Sequence, residues 1–199
     1  MKEALDVQCF LNEQEDGLYF YSLGGLLPLG QSLSVNTTHL IISLVARNAA
    51  NGNPILLEKT LAEPQMRLLL TLLEAPHYSP HEVLLASLFC SYQGLLAGLF
   101  SSNRLAREEW VATVEQRHVR MERARELGAW KRELKQLYNA LSKLRPKLRP
   151  FGLDIAVCIS GSAYTLISLP VPAQRSKVQL SVEKSSLKYR RCSPEVGGL

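Results

Sequence analysis

Between residues 131 and 149 the chain concentrates side chains that recognise polyanions. Arg132, Lys135, Gln136, Asn139, Ser142, Lys143 and Arg145 are followed closely by Lys147 and Arg149. Arg and Asn can hydrogen-bond guanine and adenine edges through two atoms at once, and Lys neutralises phosphate. Lys147 and Arg149 stand beyond Pro146 and suit phosphates better than bases. The same residues would also serve as an ordinary solvated helix face.

The apolar residues between them supply the positioning element. Leu134, Leu137, Tyr138, Leu141 and Leu144 recur at i, i+3, i+4, i+7 and i+10, which predicts a helix from about Ala129 with one buried side. Pro146 is expected to end it, because proline lacks the N–H and crowds the preceding turn. Residues 153–159 and 163–169 read as two strands around Ser160-Gly161-Ser162, a hairpin directly after the basic helix.

The upstream segments read as a sheet and then helices. Residues 7–11, 18–23, 39–45 and 54–58 are short runs rich in strand formers, separated by Glu15-Asp16-Gly17, by Gly24-Gly25 with Pro28, and by the Asn-Gly turn in residues 48–54. From Glu63 the period becomes helical, with Gln65, Leu68, Leu69, Leu72 and Leu73 on one side, Pro64 in the first turn and Pro76 beyond the end. Ser79-Pro80-His81-Glu82 predicts a second helix with Ser79 as N-cap and Glu82 at the third position. Gly94 and Gly98 leave its continuation to Phe100 open. Residues 104–127 read as a long exposed helix ending near Gly128, with Trp110 as a site of burial against a partner or the second helix.

Charge and composition bound the function. The chain has 199 residues and a net charge of +5, with 46% hydrophobic and 21% charged residues, values of an ordinary folded domain. Residues 1–100 carry a balance of −5 and residues 101–150 a balance of +7. A local basic cluster favours phosphate backbones or anionic surfaces. In residues 104–126, Arg104, Arg107, Arg117, Arg120, Arg123 and Arg125 alternate with five glutamates, so mutual pairing competes with a phosphate track. No apolar run is long enough to span a bilayer, and the first sixteen residues are too acidic for a signal peptide, which points to a cytoplasmic protein. The four cysteines show no CxxC spacing. His77 and His81 are separated by Ser79-Pro80, so a helical metal pair is not expected. Phosphate-loop, dinucleotide-fold, serine-hydrolase and zinc-protease motifs are missing from the sequence, so the expectation is no enzyme, no metal and no cofactor.

Sheet, helix, second helix, basic helix and hairpin, in that order, form a winged helix-turn-helix layout. The expected fold is α+β, with an N-terminal antiparallel sheet and a C-terminal β-hairpin wing. Four stretches resemble the OmpR/PhoB-type effector domain of response regulators. Residues 61–69 (LAEPQMRLL) are similar to that family's first-helix pattern, and residues 78–84 (YSPHEVL) to the start of its second helix. Residues 141–148 (LSKLRPKL) resemble the end of its recognition helix, and residues 161–166 (GSAYTL) its wing. The likeness covers about residues 35–170.

The resemblance implies double-stranded DNA as partner, through a helix docked in the major groove, and a role in transcription regulation. The sequence departs from the family in an insertion of about 38 residues (91–128), in Pro146, in Ser160 and Ala163 within the wing, and in having no receiver domain before the motif. The expected organisation is N-terminal strands in 1–34, the winged domain in 35–169, and a flexible tail in 170–199 with a stray strand at 177–182. A homodimer is expected, because paired half-sites add specificity, or a protein partner through the inserted helix. The alternative reading is an interaction subunit of a larger complex without sequence-specific DNA binding, which Pro146 and the depleted wing favour.

Overall fold

The computed structural model describes residues 17–46, 54–158 and 161–169. The expected strand at 7–11, most of the Asn-Gly turn and the expected tail lie outside the described residues.

Alternation of apolar and small polar residues builds the first sheet. Its strands are β1 (Leu18–Tyr21), β2 (Gln31–Asn36), β3 (Ile41–Ala46) and β4 (Ile55–Thr60), antiparallel and in the order β1-β2-β3-β4. The register sets Tyr21, Leu33, Leu44 and Leu57 across from one another, and likewise Tyr19, Val35 and Ile42. These residues turn toward the helices, and Tyr21, Leu33, Val35, Ile42 and Leu44 are buried in the core. The sequence reading passed over β2. Its polar half is serine, and the surrounding Gly24, Gly25, Pro28 and Gly30 look like one long loop.

Helix α1 (Glu63–Glu74) follows at once. Leu68, Leu69, Leu70, Leu72 and Leu73 are all fully buried, so this helix is apolar almost all round and runs through the centre of the core. Gln65 Oε1 accepts from the Ala62 amide at 2.9 Å, and its Nε2 donates to the Lys143 carbonyl at 3.2 Å.

The second helix starts differently from the expectation. Ser79 and Pro80 form the two-residue strand β5 (Ser79–Pro80), and helix α2 (His81–Phe89) begins after it. The Ser79 hydroxyl donates to the Ala75 carbonyl at 2.8 Å, closing the end of α1, so it does not cap α2. The chain then breaks at Cys90 and forms a separate helix, α3 (Tyr92–Phe100), whose N-cap Ser91 accepts from the Gly94 amide. Helix α4 (Arg104–Glu126) is the long polar helix, and helix α5 (Trp130–Leu148) is the basic one. The φ of +67° at Gly128 suits the left-handed turn between them.

Pro146 does not end α5, which runs on to Leu148. The proline costs one backbone bond, to the Ser142 carbonyl, in what is already the last turn, and its ring stands on the exposed side. Leu144 and Leu148, on either side of it, are fully buried and hold the turn in place. A 3-10 turn, Arg149–Phe151, then leads through Gly152 (φ +76°) into β6 (Leu153–Val157) and β7 (Ala163–Ser168). The second sheet has the order β5-β7-β6. The Leu166 amide and the Thr165 hydroxyl both donate to the Pro76 carbonyl, tying the hairpin to the end of α1. Among the described residues the fold is thus α+β: five α-helices, the antiparallel four-stranded sheet and this small second sheet around one core.

Candidate nucleic-acid interface

Leucine spacing fixes which side of α5 faces out. Leu134, Leu137, Leu141, Leu144 and Leu148 are all buried against α1, α2 and the hairpin. The opposite side presents Arg132, Lys135, Gln136, Asn139, Ser142 and Lys143, every one exposed. From Arg132 to Lys143 this stripe is about 16 Å long, the span of about five base pairs. Arg132, Lys135 and Lys143 take part in no ion pair among the described residues. Residues 130–149 hold seven Lys/Arg and one Glu, a net charge of +6.

The three cations nearest the hairpin are engaged inside the molecule. Asp154 on β6 lies 3.9 Å from Arg145 and 3.3 Å from Arg149. Lys147 Nζ donates to the Thr60 carbonyl at 2.8 Å, at the end of β4. Lys147 and Arg149, expected on phosphates from the sequence, therefore serve first as ties between α5 and the two sheets. The hairpin itself, residues 153–169, contains neither Lys nor Arg, and Asp154 is its single charged residue.

Tyr138 was expected in the buried stripe, yet it sits at the edge of it, 40% exposed. Tyr164 on β7 is buried, and that burial pushes its phenol up to about 12. The ring of His81, at the start of α2, packs on Tyr164 with centroids 5.3 Å apart. Burial holds the His81 imidazole below its ordinary range, the nearby Glu82 opposes that shift, and Arg125 adds to it. Lys131 is one basic residue that the sequence reading missed. It is exposed and, four residues before Lys135, falls on the same side of the helix.

The helical insertion spends most of its arginines internally. Arg120 makes two hydrogen bonds to Glu133 of α5, at 2.8 and 3.1 Å, which hold its carboxyl below the usual carboxylate range. Arg104 pairs with Glu108, Arg125 with Glu122, and Arg107 donates to the Ser101 carbonyl. Arg117 lies over the Phe89 ring, 4.1 Å from its centroid. A phosphate track along α4 is not what these pairings provide. Trp110 packs against Gly98 of α3, in the helical hairpin that α3 forms with α4. Tyr19 stacks on Phe100 at 4.1 Å, and Tyr92 donates to the Thr37 carbonyl at 2.9 Å, docking α3 on the first sheet.

Among the described residues no group of three His, Cys, Asp or Glu is placed to hold a metal. No described helix is long and apolar enough to cross a membrane. The chain matches no protein-family model, no curated protein and no solved structure.

Proposed function

We propose that this chain is a DNA-binding winged helix-turn-helix protein, a transcription regulator that lays the exposed side of α5 in the major groove. One observation carries the reading. Arg132, Lys135, Gln136, Asn139 and Lys143 share an outward face on a helix anchored by five buried leucines, and Arg132, Lys135 and Lys143 make no ion pairs among the described residues. A helix presented this way has the width and chemistry for the roughly 12 Å major groove. Three further features support it: α1 and α2 pack behind α5, β5 joins the hairpin to the start of α2, and the hairpin follows α5 directly. This is the order of the OmpR/PhoB-type layout, with α3 and α4 as an insertion before the reading helix.

The free cations lie in the first half and middle of α5, so base contact falls to Arg132, Gln136 and Asn139, and phosphate contact to Lys131, Lys135 and Lys143. One such module covers about five base pairs, and two copies on half-sites about 34 Å apart supply the specificity that one lacks. A gel shift of the full chain on random duplex, run from low to physiological salt, tests the reading. Binding that weakens steeply with salt supports it, and no binding at low ionic strength removes it.

A second reading rests on the hairpin. A wing with no Lys or Arg, whose one carboxylate occupies Arg145 and Arg149, is poorly suited to a phosphate backbone. It favours a winged-helix subunit that docks on a protein. Alanine at Lys135 and Lys143 separates the two readings, because only the first loses its function with the fold intact.

A further inference from the structure

Helix α4 turns a regular seam toward solvent. Its inner side is set by Trp110 on Gly98 and by the buried Met121 and Ala124. At 3.6 residues per turn the opposite side falls at Leu105, Ala112 and Val119, and beside them run Glu109, Gln116 and Arg123. Each row repeats every seven residues, the period at which one helix meets another along its length. All six residues are exposed, Leu105 at 67% and Val119 at 59%, and Leu127 just beyond the helix is 73% exposed.

The charges on this seam are left over from the pairing inside the molecule. Arg104 pairs with Glu108, Arg125 with Glu122, and Arg120 with Glu133. Glu109 and Arg123 take part in no ion pair among the described residues. Fourteen residues separate them, about 21 Å along the helix axis, so they do not reach each other. A second copy laid antiparallel brings them together. With a two-fold axis at Gln116, seven residues from each, Glu109 stands across from Arg123 of the second copy, and the symmetry makes this pair twice. Ala112 then meets Val119, Gln116 meets Gln116, and Leu105 meets Leu127 at both ends. A parallel arrangement would set Glu109 on Glu109 and Arg123 on Arg123, which like-charge repulsion disfavours. Glu115 opposes the antiparallel pair, since it lies beside the axis and faces its counterpart.

We propose that α4 is a homodimerisation helix, which pairs antiparallel with α4 of a second copy about an axis at Gln116. The contact runs about 33 Å, from Leu105 to Leu127. A single helix pair of this mixed character gives a weak dimer, at the small end of specific interfaces. The basic side of α5 forms no part of the seam, so the pairing stands whether or not α5 meets DNA.

Sedimentation equilibrium of the full chain, without DNA and in low salt, is the test. The 22.2 kDa chain should pass to twice that mass between about 1 and about 100 μM. Glu109→Arg and Arg123→Glu should each weaken association about tenfold or more, because each turns both pairs into like charges. Mixing the two variants should restore it, because the mixed dimer again sets opposite charges across both pairs. Glu115→Gln should strengthen it. Under oxidation, Gln116→Cys should cross-link to a dimer above the background of the parent, whereas Leu105→Cys, about 33 Å from its counterpart, should not. A chain that stays monomeric at about 100 μM overturns the proposal and leaves the seam to a different protein. A dimer indifferent to both charge reversals overturns it equally, as does a mixture of the two variants no stronger than each alone. Cross-linking through Leu105→Cys instead of Gln116→Cys would also overturn it.

Discussion

Asp154 on β6 holds two arginines of the basic helix region, Arg149 at 3.3 Å and Arg145 at 3.9 Å. Its Oδ1 also accepts from the Ile155 amide at 2.8 Å, which fixes the carboxylate in place. A single acidic residue thus offsets part of the positive charge where α5 meets the hairpin.

Asp154→Asn releases both cations and should tighten DNA binding. The slope of log affinity against log salt should steepen by about 2, since each phosphate contact contributes about −0.9. Stability should change by about 1 kcal/mol, since Arg149 is 60% exposed and the half-buried Arg145 stands at the longer distance of 3.9 Å. Fluorescence anisotropy on a short duplex, with and without the substitution, measures the first, and thermal melting the second.

The contact between α3 and α4 leaves no room for a side chain at Gly98. A Cβ there would stand 2.6 Å from Trp110 Cβ and 2.9 Å from Cγ, and Trp110 is itself held in the middle of its helix. Gly98→Ala should destabilise the protein by about 1–3 kcal/mol through overpacking. A red shift of tryptophan emission, as Trp110 is pushed toward solvent, would accompany the lower melting temperature.

Opposite sides of α5 should respond in opposite ways. Leu137 is fully buried, and Leu137→Ala should cost about 2–5 kcal/mol, depending on how far the site collapses. Lys135 is exposed, and Lys135→Ala should stay within about 0.5 kcal/mol of the parent while weakening DNA binding. Urea denaturation of the two variants checks this directly.

His81 should make stability depend on mildly acidic pH. It is 3% exposed, its Nε2 has no hydrogen-bond partner among the described residues, and burial lowers its pKa below 6.5. A depressed folded pKa means that the neutral imidazole favours folding above the unfolded value. That contribution is lost as pH falls below about 6.5 toward the folded value. His81→Gln removes the titration, so the melting temperature of the parent should fall more steeply than that of the variant between pH 7 and pH 5.

Much of this fold was legible because periodicity carried it. The leucines of α5, the rod of α1 and the alternation in β3, β6 and β7 follow from spacing alone. Three features depended on tertiary partners that spacing does not contain. Ser79 has the composition of a helix cap, but the Ala75 carbonyl is closer to hand, so its hydroxyl closes α1. Pro146 reads as a stop, yet buried Leu144 and Leu148 carry the helix past it. The exposed side of α5 was readable from the wheel, whereas the engagement of Lys147 by Thr60 and of Arg145 and Arg149 by Asp154 required long-range contacts. The bonding of Arg120 to Glu133 across thirteen residues is the same kind of relationship.

The most direct test of the central claim is the salt dependence of duplex binding for the full chain and for R132A/K135A/K143A. Three phosphate-facing lysines of α5 without ion pairs among the described residues, Lys131, Lys135 and Lys143, predict a slope near −3 for the parent and near −1 for the variant, with unchanged circular dichroism. Equal slopes for the two proteins, or a parent that does not bind duplex at low salt, would contradict the account.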